Sequence, residues 1–201
     1  MNVITRASVI CAAATLFLAA CVAPSSPPVN YYTLSADASA APADPENSVV
    51  LGIGPLNLPD YLDRPQMVTR GAGSELIVDD FNRWAEPLGT ALHQAVAINV
   101  DKMLNGVVAV TFPFDSIVQD RVGYRLLGDI SKFDADASGL VALEIQWGIA
   151  KVEAETVVKP RRARYEAQAT EAGDPAAIAK AMSEAVLKLS RDIADEFSAV
   201  I

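Results

Sequence analysis

A strict alternation of residues between Val141 and Ala150 constrains the fold of this chain more than any other feature. The apolar positions are Val141, Leu143, Ile145, Trp147 and Ile149, and the positions between them are Ala142, Glu144, Gln146, Gly148 and Ala150. Successive side chains of a β-strand point to opposite faces, so this period of two predicts a long strand with one buried face. Such a strand needs neighbouring strands and a layer packed on its apolar side.

Other strand signals surround this one. Val122, Tyr124, Leu126 and Ile130 alternate as well, and the turn-forming segment 134–139 joins the two runs as a hairpin. The remaining predicted strands are Tyr31–Leu34, an apolar run from Val49 that ends at Gly54–Pro55, a hairpin of 66–70 with 75–78, Val107–Phe112, and a weaker region 156–169 interrupted by Pro160.

Two helices are expected. The side chains of Asp79, Asp80 and Asn82 are candidate N-caps for a helix over about residues 85–104, which Gly106 ends. Asp174 followed by Pro175 begins the second helix. Its core-facing stripe is Ile178, Met182, Ala185, Leu189, Ile193 and Phe197. The fold class is therefore α/β: a single domain with a mixed β-sheet and packed helices.

The N-terminus predicts export and lipidation. Residues 1–20 have a positive Arg6 and an apolar core from Val9 to Leu18, which is typical of a signal peptide and too short to span a bilayer. Leu18-Ala19-Ala20-Cys21 resembles the bacterial lipobox, in which the cysteine becomes the acylated first residue. The alternative is an ordinary cleavage site with an accidental cysteine. Residues 21–47 are then a lipidated flexible tether, in which Tyr31–Leu34 is a candidate first strand, and residues 48–201 the globular domain.

Composition excludes several classes of function. The net charge of −9 gives a nucleic-acid partner no support. Two cysteines, both within the first 21 residues, and the single His93 cannot build a disulfide framework, a Cys/His zinc site or a Cys–His nucleophile. A dinucleotide loop at Gly52-Ile53-Gly54 fails because Asn57 stands where the third glycine is needed. We therefore predict a protein that is not an enzyme and has no cofactor or metal.

Two candidate contact sites remain. The only cationic cluster contains Lys159, Arg161, Arg162 and Arg164. It is either a solvated strand that charge protects from edge pairing, or a contact for anionic headgroups or an acidic partner. The second site is a loop with Tyr61, Leu62 and Arg64, which either covers the core or faces a partner. The acidic pairs 79–80 and 134–136 are explained by turn and capping roles, although a hydrolytic carboxylate pair is the alternative.

The ordered series of these segments resembles a known family. Cys21, Tyr31–Leu34, the segment 50–66 (VLGIGPLNLPDYLDRPQ), the segment 82–88 (NRWAEPL) and the C-terminal helix are similar to the ABC-type transport auxiliary lipoproteins of the PqiC type. The resemblance implies an anticodon-binding-domain-like α/β fold. It also implies a non-catalytic periplasmic subunit that works with an MCE-domain protein and ABC transporter components in moving lipid between two membranes. Because MCE assemblies are rings, a homo-oligomer would match their symmetry.

Two further expectations accompany this resemblance. Val22 after the cysteine favours the periplasmic face of the outer membrane, with the inner membrane as the alternative. The second candidate function is an outer-membrane lipoprotein that activates or scaffolds a cell-wall synthesis enzyme, since such a protein would share the anchor and a small α/β domain.

We expect Cys21 to be the acylated N-terminus of the mature protein. Two or three acyl chains anchor a protein firmly, because each buried CH2 contributes about 0.8 kcal/mol. Cys21→Ser should therefore release the protein from the membrane fraction or leave it unprocessed. Mass spectrometry of the wild-type N-terminal peptide checks the modification directly, and a free thiol at Cys21 would contradict it.

Overall fold

The computed structural model describes residues 27–36, 48–153 and 160–201, together with the backbone of 156 and 157. The predicted signal peptide, Cys21, most of the predicted tether and Lys159 lie outside the described residues.

Nine strands of the described residues join in one sheet, and two α-helices accompany it. The strands are β1 (Asn30–Tyr32), β2 (Val49–Asn57), β3 (Gln66–Arg70), β4 (Leu76–Trp84), β5 (Val107–Thr111), β6 (Val122–Ala135), β7 (Leu140–Lys151), β8 (Thr156–Val157) and β9 (Arg161–Gln168). The helices are α1 (Leu88–Met103) and α2 (Pro175–Ser198), with short 3-10 turns at Asp60–Leu62 and Gln119–Arg121. This confirms the predicted α/β class with a mixed sheet and packed helices.

Strand β6 is shared by the two parts of the sheet. On one side it runs antiparallel to β7, which continues to β9. On the other side its first half runs parallel to β2, which continues to β5, and its last residue, Ala135, pairs with Thr69 of β3. Strands β3 and β4 form the predicted hairpin, and β1 adds to β4 in parallel. We call β1, β3 and β4 the arm, because they extend from the end of β6.

The alternation that predicted β7 separates two faces of the sheet. All five apolar positions from Val141 to Ile149 are buried, whereas Gln146 is exposed and Glu144 half-buried. On the apolar side, Tyr165 of β9 donates from its hydroxyl to Asp192 of α2 at 2.8 Å. Helix α2 therefore covers this face, and the opposite face is open at Glu144 and Gln146.

Helix α2 begins and packs as its sequence predicts. The carboxylate of Asp174 accepts hydrogen bonds from the backbone N–H groups of Ala176 and Ala177 at 3.2 and 3.0 Å. The whole predicted stripe from Ile178 to Phe197 is buried. Asn99 of α1 donates to Ser190 of α2 at 3.3 Å, and this buried hydrogen bond joins the two helices.

The predicted N-caps of α1 were wrong. Strand β4 continues to Trp84, and Pro87 precedes the helix with no side-chain cap. Asp79 has the expected capping geometry in another setting, since its Oδ1 accepts from the N–H groups of Phe81 and Asn82 at 2.9 and 3.0 Å. These bonds coincide with a break in the register of β3 and β4. The residues that favour an N-cap also satisfy the backbone of a β-bulge.

The predicted end of β2 was also wrong. The strand passes through Gly54–Pro55 and continues to Asn57, with a register shift against β6 between Ile53 and Leu56. The N–H of Leu56 donates to Nε2 of His93 at 2.9 Å. A side chain at Gly54, whose φ is +107°, would lie 2.9 Å from that same nitrogen. The absence of a side chain at Gly54 therefore leaves space for His93. The imidazole accepts the hydrogen bond from Leu56 at the point where the register with β6 shifts.

The structure predicts that Phe197 carries much of the stability of the domain. Its ring is fully buried and meets the ring of Tyr124 edge-on, with 5.2 Å between centroids. Phe197→Ala should lower the free energy of unfolding by about 3–5 kcal/mol, measured by urea denaturation. Asp195→Ala, at an exposed position of the same helical turn, is the control and should change it by less than about 0.5 kcal/mol. Equal stability of the two variants would contradict the packing.

Candidate interaction surfaces

The arginines of the predicted cationic cluster lie on β9, an edge strand that pairs only with β7 within the described residues. Each is paired within the chain. Arg161 forms an ion pair with Glu196 of α2, and Arg162 donates to Gln146 at 3.0 Å. Arg164 contacts Glu144 at 2.7 Å and Glu166 at 2.6 Å.

These pairs reduce the charge that the cluster offers to a ligand. The carboxylates of Glu166 and Glu144 raise the pKa of Arg164, so its guanidinium stays protonated beside two acids. Arg162, Arg164 and Glu144 line an open groove of about 590 Å³ on this face of the sheet, together with Asp129 and Ser131. The groove is a network of opposite charges, and an anionic headgroup would compete there with carboxylates already in place. A headgroup or partner contact at this cluster stays a prediction.

The three residues of the loop predicted to cover the core or face a partner, Tyr61, Leu62 and Arg64, differ in their exposure. Leu62 is buried at 3% exposure. Tyr61 is half-buried and donates from its hydroxyl to Asp134 at 2.5 Å. Arg64 has an exposed side chain. Tyr61 and Leu62 thus serve the fold in this structure, and a partner contact at the loop stays a prediction for which Arg64 is the accessible residue.

Asp134 is the centre of a buried polar cluster. Its carboxylate has no exposure and accepts from Tyr61 at 2.5 Å and from Nε of Arg70 at 2.8 Å, while Nζ of Lys132 lies 3.8 Å away. Sequence reasoning gave Asp134 a turn role, which was wrong because the residue lies within β6. Asp136 does have that role, since it accepts from the N–H groups of Ser138 and Leu140. The two carboxylates therefore do separate structural work.

His93 is half-buried and has a structural role. Burial lowers the pKa of its imidazole, which favours the neutral form that accepts from Leu56. Among the described residues, no group of three His, Cys, Asp or Glu side chains could hold a metal ion. None of the helices in the described part of the chain has the length and apolarity needed to cross a membrane.

Sequence reasoning missed an apolar surface on the arm. Leu76, Ile77, Val78 and Phe81 of β4 are exposed at 37, 49, 37 and 42%. The signal that could have shown it is the run Leu76-Ile77-Val78, where three consecutive apolar residues break the alternation expected of a strand with one covered face. Exposed apolar residues that adjoin one another on a strand indicate a surface for binding.

Acidic side chains flank this apolar surface. Glu75 and Asp80 are exposed, and Asp79 is half-buried. Burial alone would raise the pKa of Asp79, but hydrogen bonds from the Asn82 side chain and from the backbone of Phe81 and Asn82 leave it lowered. Asp79 is therefore ionised at neutral pH.

The described chain is thus a mixed α/β domain whose buried polar groups support the fold and whose distinctive surfaces are suited to binding. A family model for the ABC-type transport auxiliary lipoprotein component matches residues 32–194. The chain belongs to this family, which confirms the resemblance found in the sequence and makes it a lipoprotein associated with ABC-type transport.

Two solved structures share the fold. An uncharacterized protein is 21% identical with a TM-score of 0.69, and the match covers 85% of this chain and 99% of that one. Protein XCC0632 from Xanthomonas campestris is 20% identical with a TM-score of 0.65, and the match covers 83% and 93% of the two chains. No curated protein matches the chain.

The cluster around Asp134 predicts a loss of stability in alkaline solution. Burial and the neighbouring Asp134 raise the pKa of Tyr61 from 10.0 to about 12. A raised pKa means that the folded state favours the protonated phenol, so this contribution is complete below pH 10 and is lost as pH rises towards 12. The stability difference between wild type and Tyr61→Phe should shrink over that range in urea unfolding at several pH values. Tyr31→Phe, at a site exposed by 63%, is the control, and a constant difference for Tyr61→Phe would contradict the prediction.

Proposed function

We propose that the protein is a non-catalytic, lipid-anchored subunit of a system that moves lipid between the two membranes of the envelope and helps to maintain envelope integrity. In this proposal Cys21 carries the acyl chains on the periplasmic face of the outer membrane. The domain binds an MCE-domain protein that works with ABC transporter components. The observation that carries the proposal is the family match over residues 32–194, because the family is an auxiliary component of ABC-type transport.

The titratable groups that are hydrogen-bonded within the fold support the non-catalytic part of the proposal. His93, with its lowered pKa, uses Nε2 to accept from the backbone of Leu56. The hydroxyl of Tyr61 and the carboxylate of Asp134 bind each other. Each of these groups already has a partner that the fold needs, and general acid–base catalysis needs a group free to exchange a proton with a substrate.

The tether sets the distance at which the domain can act. Strand β1 begins at Asn30, nine residues after Cys21. An extended chain spans at most about 3.5 Å per residue, so the domain would lie within roughly 30 Å of its anchor. Tethering raises the effective concentration of a partner that reaches the same membrane, which lets a weak contact suffice. A homo-oligomer that matches a ring-shaped partner would multiply such contacts.

Crosslinking in living cells tests the partner. A photoreactive residue at Arg64 and another at Arg162 place probes on the two predicted contact sites, where both side chains are exposed. Glu184, exposed on α2, is the control position. We expect at least one probe site to capture an MCE-domain protein or a transporter component more strongly than Glu184 does, as identified by mass spectrometry.

Capture of a peptidoglycan synthase at these positions, with no MCE-domain protein or transporter component at any of them, would refute this function. That outcome would favour the cell-wall alternative.

A further inference from the structure

Two edges of the sheet are protected by charged side chains from the helices. At the edge strand β5, Asp101 of α1 accepts from the backbone N–H of Ala109 at 2.5 Å. At the edge strand β9, Lys188 of α2 donates to the backbone carbonyl of Glu166. Each of these side chains occupies a backbone group that an added strand would use, and charged groups on an edge discourage such pairing.

The outer edge of β4 differs from these two over Leu76–Val78, whereas further along it Asp79 and Arg83 occupy backbone groups of Phe81 and Asp80. Strand β1 covers only Asn82–Trp84, so Leu76–Phe81 has β3 on one side and no strand of the described residues on the other. The N–H of Gly71 donates to the carbonyl of Glu75, and hydrogen-bonded pairs alternate along an antiparallel ladder. Leu76 and Val78 therefore direct their N–H and C=O groups outwards. We call residues Leu76–Phe81 the β4 edge.

Side chains on both faces of the β4 edge suit an apolar partner. Leu76, Val78 and Phe81 are each more than a third exposed. On the face towards α2, Ile77 lines a crevice of about 380 Å³ with apolar Met67 and Ile178 and with charged Arg70, Asp79 and Asp136. The crevice can receive a side chain from a strand added beside β4, and its apolar wall suits an aliphatic one.

Charge distinguishes between a second copy and another protein as the occupant. Three carboxylates lie at the β4 edge: Asp79 and Asp80 within it, and Glu75 immediately before it. The arginines of β3 and β4 are already bonded within the chain, Arg70 to Asp134 and Arg83 to the carbonyl of Asp80. Two β4 edges paired with each other would bring six carboxylates together in chains that each carry a net charge of −9. Like charges across a strand pair are destabilising, so a basic segment is favoured.

We propose that the β4 edge binds an extended segment of another protein, in which apolar residues alternate with Lys or Arg, by adding it to the sheet as a strand. Backbone hydrogen bonds to Leu76 and Val78 hold the segment, its apolar side chains cover those of the edge, and its cations face the carboxylates. This deepens the proposed function and rests on it only for which protein carries the segment.

Synthetic peptides test the proposal without knowledge of that protein. The probe is a fluorescein-labelled ten-residue peptide that alternates Val and Lys, and the comparison peptide alternates Val and Glu. Binding to the purified full-length lipoprotein in detergent is measured by fluorescence anisotropy. We expect the Val/Lys peptide to bind at least tenfold more tightly, and its affinity to fall as salt is added.

Two variants locate the binding. Val78→Lys should lower the affinity for the Val/Lys peptide at least tenfold, because it places a cation on the β4 edge. Ile117→Lys is the control, because it also introduces a lysine in place of an exposed aliphatic residue. Ile117 is 82% exposed in the connection between β5 and β6, and this variant should leave the affinity within twofold of the wild type. If Val78→Lys lowers the melting temperature, Asp80→Asn replaces it, and a reduced preference for Val/Lys over Val/Glu is then expected.

Several results would overturn the inference. Equal affinity for the two peptides would show that charge does not select the segment. Equal losses in Val78→Lys and Ile117→Lys would show attraction to the acidic chain as a whole. If Asp80→Asn keeps the full preference for Val/Lys over Val/Glu, the carboxylate at this edge does not select the peptide. A crosslink between Val78 residues of two copies would make the β4 edge a self-association site. Peptide binding without capture of MCE or transporter components in cells would instead refute the proposed partner and leave this inference intact.

Discussion

The position of the arm depends on the buried carboxylate of Asp134. Strand β3 joins β6 through one register pair, Thr69 with Ala135, and Asp134 immediately precedes Ala135 in β6. Its hydrogen bonds with Arg70 and Tyr61 tie β3 and the 3-10 turn to the end of β6. Removal of Arg70 or Tyr61 would leave the buried carboxylate without one of its hydrogen-bond donors, which destabilises the folded state. The cluster therefore fixes the orientation in which the arm presents β4.

The parts of the fold that the sequence predicts well are those set by local periodicity. The alternation in β7 and the stripe of α2 each identify a buried face without knowledge of what covers it, and both faces are buried. The capping signal at Asp174 was correct, whereas the one at Asp79 was not. A short carboxylate side chain satisfies two successive N–H groups equally well in a helix cap and in a bulge, so residue type alone cannot separate the two settings.

The interaction surfaces were harder to predict because they depend on neighbours distant in sequence. In the sequence the arginines of β9 form a cationic cluster with no evident acidic partners. Their partners Glu144 and Glu196 come from β7 and α2. Tyr61 reads as a loop residue, and its partner Asp134 lies 73 positions away. Pairing of this kind is fixed by strand register and helix packing, which a pattern of single residues does not contain. The apolar run at Leu76–Val78 was visible, but the open edge beside it follows from the short length of β1.

The open edge and the lipid anchor of the proposed function are consistent with one mode of action. Hydrogen bonds along an added strand are made by the backbone and are indifferent to sequence, so selectivity at such an edge must come from side chains. Here the flanking carboxylates would disfavour acidic segments, including the same edge of another copy. A single short strand gives modest affinity because ordering the segment opposes the contacts that it makes. In the proposed function, a tether that holds the domain near a membrane that the partner reaches would raise the local concentration and make that modest affinity sufficient, while the contact stays reversible.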